Sequence, residues 1–105
     1  MRFVRASEFT GDRAWAADDL AELSGSTTVR LHWTDQPYVW HVNDGVEVFT
    51  VVDGDVDMHY RDADGTETVV RLTVGDTCFA EEGDELFAEP VGSARILVVE
   101  RAGSV

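Results

Sequence analysis

The chain has 105 residues, 44% of them hydrophobic, enough for one compact core in a single domain spanning 1–105 without metal or disulfide staples. Its 21 acidic residues outnumber 8 basic ones, all arginine, for a formal net charge of −13; such a surface repels nucleic acid and anionic membrane and excludes both as partners. The single cysteine, Cys78, has no intrachain disulfide partner, no apolar stretch reaches the length of a membrane span, and no basic-then-apolar leader is present, so a cytoplasmic location is expected.

Short apolar runs separated by Asp-Gly, Gly-Ser and Gly-Asp pairs give β-type punctuation. In chain order the expected strands are 2–5, 27–33, 38–42, 47–52, 56–61, 66–72, 77–80, 86–89 and 94–100. The stretch AADDLAEL at 16–23 suits either a helical turn or a bulged strand, and its Asp18-Asp19 pair has no evident partner. Many short strands in about a hundred residues point to an all-β sandwich or closed barrel. EVFTVV and ARILVVE are apolar on both faces, so each needs a second layer. That layer is either another part of the chain or a partner subunit, and a homodimer is expected.

A two-residue turn at Asp53-Gly54 would set Val51 opposite Val56, Phe49 opposite Met58 and Glu47 opposite Tyr60. One face then carries Glu47, Phe49, Val51, Val56, Met58 and Tyr60 and reads as interior. The more polar face carries Val48, Thr50, Asp55, Asp57 and His59. Glu47 is thus a carboxylate at the end of an apolar row, in reach of His41, Asn43 and Tyr60. A buried carboxyl needs a partner. Glu47 is a metal ligand, an acid or base, or a buried group satisfied by Tyr60 or His41. His32 joins it only if its strand faces inward. Cys78 reads as a buried inert thiol. Trp33 and Trp40 suit a pocket mouth or core and dimer packing. Glu81, Glu82 and Glu85 suit a solvated rim.

The stretch from His41 through Asn43 and Glu47 to Gly54 resembles the first cupin motif, His-x-His, three or four residues, Glu, six residues, Gly. GDTCFAEEGDEL resembles the second, with Gly75 and Gly83 in place, Glu81 at the usual proline and Leu86 at the usual histidine. The resemblance covers about 27–100, with motifs at 41–54 and 75–86. It implies a cupin double-stranded β-helix, or jelly-roll barrel, with a pocket inside one end. It also implies a divalent transition metal (Fe, Mn, Zn, Ni or Cu) on three histidines and a glutamate. Carried over by position, His41 and Glu47 match, Asn43 offers at most an amide oxygen, and Leu86 offers nothing.

Three readings follow. One is a module binding a small organic ligand through His41, Asn43, Glu47, Phe49, Met58 and Tyr60. Another is a metal-dependent isomerase or dioxygenase acting on a small polar metabolite, with Tyr60 as catalytic acid or base. The third is a structural or regulatory dimer with a filled pocket.

Overall fold

Period-two alternation of apolar and polar side chains is met by two antiparallel sheets packed face to face. The computed structural model describes residues 1–104. These form a 3-10 turn, Ala6–Glu8, and nine strands: β1 Ala16–Leu23, β2 Thr27–Thr34, β3 His41–Val42, β4 Glu47–Asp53, β5 Val56–Arg61, β6 Glu67–Leu72, β7 Thr77–Ala80, β8 Glu85–Pro90 and β9 Ala94–Arg101. One sheet has the order β1-β2-β9-β4-β7 and the other β3-β8-β5-β6. Only β1–β2 and β5–β6 are hairpins within a sheet; every other connection changes sheets, which is the jelly-roll habit.

The inward residues form one core. Phe49, Val51, Ile96 and Val98 from one sheet meet Val56, Met58, Leu72, Leu86 and Ala88 from the other. Burying each larger aliphatic or aromatic side chain stabilises the fold by roughly 1.5–3 kcal/mol. The outer face of the four-stranded sheet carries paired charges: Arg71 with Asp57 and Arg61 with Glu67 and Glu85 in register, and His59 with Glu89 on the diagonal. His59 also stacks on Phe87, and Trp40 packs its edge on Phe87 beneath the Arg61 guanidinium.

The two-residue hairpin expected at Asp53-Gly54 does not form. β4 pairs with β7 and β9, and β5 with β6 and β8. The chain turns a corner there instead. A register shift between Val51 and Asp53 bends the end of β4. Gly54 then takes φ 79°, with the space of a Cβ only 2.5 Å from the Ser93 carbonyl oxygen. The expected faces hold although the pairings do not, because facing depends on parity and not on the neighbour. Phe49, Val51, Val56 and Met58 are all buried, meeting across the interior rather than side by side. AADDLAEL is a strand with a bulge between Asp19 and Ala21. Asp18 and Asp19 have partners after all, in Arg2 and Arg30.

Residues 2–5 pair with no strand, against expectation. They belong to an arm that crosses the outer face of the five-stranded sheet. Arg2 grips Asp18 with one nitrogen on both carboxylate oxygens, at 3.0 and 2.9 Å. Arg95 holds the Phe9 carbonyl, the Thr10 hydroxyl and Asp53. Gly11 packs onto Ala16 and Trp33. Leu31 points outward from β2 yet is only 2% exposed under this arm. Part of the second layer that both-sided apolar strands require is therefore supplied by the chain itself.

Gly54→Ala is expected to cost at least about 2 kcal/mol, because an L side chain is strained at that φ and meets the Ser93 carbonyl. Urea denaturation checks it, and a midpoint equal to the parent's would contradict this account of the corner.

Candidate functional site

Sheet register places the site's side chains in rows. On the inner face of the five-stranded sheet, Glu47 lies opposite Glu100, and Glu100 opposite Thr28. The next row inward is Phe49, Val98 and Arg30, and the next Val51, Ile96 and His32. His41 faces them from the other sheet, paired with Leu86, while Met58 pairs with Ala88. Between these rows lies a cavity of about 300 Å³, lined by Arg30, His32, His41, Glu47, Glu100 and Ser104 among polar residues and by Phe49, Met58, Leu86, Ala88 and Val98 among apolar ones. Trp15 and Tyr38 complete its wall. Trp15 sets its ring edge-on to Tyr38 and His32, with centroids 5.3 and 6.0 Å away, and Tyr38 does the same to His41 at 5.2 Å. Trp15 also adopts a left-handed backbone, φ 58°, uncommon for a bulky residue. Its buried indole N–H has no hydrogen-bond partner among the described residues.

The two carboxyls dominate the electrostatics. Burial is the main reason that the Glu47 acid is pushed up to about 8, followed by its hydrogen bond to Glu100 and the negative charge there. An Asn43 amide contact pulls weakly the other way. The flanking arginines are held elsewhere, Arg30 by Asp19 at 2.7 Å and Arg101 by Asp44 at 3.1 Å. Burial also lowers the His32 imidazole, against the raising effect of its Nδ1 contact with the Trp15 carbonyl at 3.3 Å.

His41, Glu47, Phe49 and Met58 line the cavity together, and His32 does face inward. Asn43 does not line it. It lies behind, 6% exposed, with Oδ1 3.2 Å from His41 Nε2 and its backbone N–H bonded to the Asp84 carbonyl at 2.8 Å. It ties His41 to Glu47 rather than offering a further donor. Tyr60, expected in this site, is 36% exposed and lines a second hollow with Arg61, Cys78 and Phe79. The sheet switch at Gly54 separates it from Glu47. Trp33 and Trp40 sit on outer faces, away from the cavity. Burial raises the Cys78 thiol, which keeps it protonated.

The residues do not fit the metal that the motif resemblance implies. Leu86 brings hydrocarbon to the histidine position. His41 has both ring nitrogens against oxygens, Nδ1 at 2.9 Å from the Val39 carbonyl and Nε2 at Asn43. Among the described residues no group of three His, Cys, Asp or Glu is placed to hold an ion.

Glu100, Trp15, Tyr38 and Arg30 went unremarked in the sequence reading. Glu100 closes a strand whose inward parity is set by Ile96 and Val98, and that parity was the available signal. Trp15 lies outside every expected strand and carried none; Tyr38 opens the expected strand 38–42, of which the structure keeps only His41–Val42, so parity there did not report its facing.

No protein-family model and no curated protein matches the sequence. Solved structures do match. A cupin-2 domain protein from Shewanella frigidimarina NCIMB 400 superposes with TM-score 0.75 at 23% identity, over 87% of this chain and 84% of that one. A cupin superfamily protein from Desulfitobacterium hafniense DCB-2 gives TM-score 0.75 at 12% identity, over 91% and 85%. A hydroquinone 1,2-dioxygenase in complex with Fe³⁺ gives 0.76 at 19%, over 88% of this chain but 29% of the enzyme. The chain has the cupin fold.

A carboxyl whose pKa rises from 4.5 unfolded to about 8 folded makes the native state progressively less stable as pH climbs between those values, with the full penalty above 8. Glu47→Gln has no such proton to lose. It is expected to differ little from the parent near pH ~4, and to exceed it above pH 8 by on the order of 3 kcal/mol. Denaturation midpoints across pH test this; parallel profiles would contradict it.

Proposed function

We propose that the cavity binds a small organic molecule without a resident metal. The observation carrying this reading is Leu86: where a cupin metal site wants imidazole, this chain puts an apolar side chain beside His41 and makes it part of a floor with Phe49, Met58 and Ala88. A volume of about 300 Å³ falls at the small end of ligand pockets, which suits a metabolite rather than a polymer. The apolar or aromatic body of the ligand lies on that floor, against the edges of Tyr38 and Trp15. A hydroxyl or amine of the ligand meets the Glu47–Glu100 pair, whose oxygens accept. Asn43 holds the His41 ring and the Glu47 carboxyl in place. A cytoplasmic setting belongs to this reading and is supported by a chain with one thiol and no disulfide.

Two measurements test it together. Untagged protein purified without chelator is expected to carry far less than one transition metal per chain, before and after soaking with Fe, Mn, Zn, Ni and Cu. A thermal-shift screen of small metabolites is expected to find a stabilising ligand, with the shift lost in Glu100→Ala. One metal per chain that disappears in Glu47→Ala would overturn the proposal. Asn43→His combined with Leu86→His is expected to gain metal, since together they return two imidazoles to the ligand positions of the motif.

A further inference from the structure

The cavity has two ends of opposite character. On the inner face of the five-stranded sheet, β4 and β9 bring the hydrogen-bonded carboxyls of Glu47 and Glu100 together, while β2 carries Arg30 in the adjoining row. Two strand spacings, about 10 Å, separate Arg30 from Glu47, too far for the two to pair. Asp19 fixes the Arg30 guanidinium through Nε alone, at 2.7 Å, so Nη1 and Nη2 have no partner among the described residues. Trp15 stands in the wall beside β2, its ring centroid 6.0 Å from that of His32. Its buried indole N–H likewise has no acceptor among the described residues. One end is therefore negative and rich in acceptors, and the other holds donors that the chain leaves unanswered. Both open on the same apolar floor of Phe49, Met58 and Leu86.

We propose that the guest of this cavity is a free amino acid with an apolar side chain, an inference that rests on the organic-ligand reading above and names its ligand class. Its ammonium donates to the Glu47–Glu100 pair. Its carboxylate accepts from the Nη atoms of Arg30 and from the Trp15 indole. Its side chain lies on the floor. The two ends together select a zwitterion. A plain amine answers the carboxyls and leaves the guanidinium and the indole N–H without acceptors, and such unmet buried donors are costly. A plain carboxylic acid answers the donors and sets its remaining surface against two acids. An amino acid satisfies both ends and adds no net charge to a partly buried site, where an unpaired ion is expensive. Arginine suits the second role, because its planar fork of donors matches a carboxylate. With Nε already fixed by Asp19, that fork is held in place before the guest arrives.

The test is titration calorimetry on the whole chain with matched sets of probes: leucine with isopentylamine and isocaproate, and phenylalanine with phenethylamine and hydrocinnamate. In each set the amino acid keeps both charged groups and each analogue has lost one. At least one of the two amino acids is expected to bind about tenfold or more tightly than both of its analogues. Arg30→Gln is expected to remove that advantage without weakening the amine analogue, at an unchanged circular dichroism spectrum. Trp15→Phe, which keeps a ring and drops the N–H, repeats the test should Arg30→Gln fail to fold. An amine that binds as tightly as its amino acid would overturn the proposal and leave the organic-ligand reading standing. So would an amino acid whose affinity survives both substitutions, or silence from both sets beside a different hit in the metabolite screen. A metabolite screen with no hit of any kind would remove that reading and this inference with it.

Discussion

Two carboxyl groups placed opposite one another on adjacent strands, at the end of an apolar interior, resist being ionised together at neutral pH unless a cation sits with them. Glu47 and Glu100 are such a pair, and much of the surrounding arrangement answers to it. The arginines on neighbouring strands are committed to Asp19 and Asp44. What remains is a hydrogen bond between the carboxyls, an amide contact from Asn43, and a Glu47 acid held near 8. In a metal-binding cupin the corresponding glutamate answers to an ion. Here Leu86 and the engaged nitrogens of His41 leave it answering to a second carboxyl. A site so built offers oxygen acceptors and a proton above an apolar floor, which suits a small organic guest.

The fold makes this pair possible by separating neighbours in sequence into different sheets. The corner at Gly54 sends β4 and β5 into opposite sheets, so their apolar faces meet across the core. It also delivers β9 to the side of β4, where Glu100 lies beside Glu47. Tyr60 moves away by the same step. The arm over the outer face shields Leu31 and lets the five-stranded sheet be apolar on both sides over part of its area.

The sequence was informative wherever alternation alone decides the answer. Strand positions, the inward set Phe49, Val51, Val56 and Met58, and the outward place of His59 follow from parity, and the glycine and glutamate spacing pointed to the cupin fold. Strand partnership does not follow from parity. Asp53-Gly54 has the composition of a tight hairpin turn and also that of a sheet-switching corner; the choice depends on the bend in β4 and the Ser93 carbonyl packed against Gly54. Half of the site was illegible for the same reason. Glu100 becomes significant only when β9 is known to lie against β4, Trp15 reaches the cavity from a connection that carries no periodicity, and Tyr38 from a segment expected to be strand that forms one only at His41–Val42. The arm misled in another way: Arg2 to Arg5 have strand-like composition, but the ion pair of Arg2 with Asp18 holds them over a sheet rather than in one.

The central claim is that Glu47 and Glu100 form one proton-holding pair. Carboxyl carbon NMR of the glutamates, followed through a pH titration in the parent and in Glu100→Gln, reads this directly. Glu47 is expected to keep its proton past neutrality and release it near 8 in the parent, and at a distinctly lower pH once the neighbouring negative charge is gone. A Glu47 that titrates in the ordinary carboxylate range in both proteins would contradict the account.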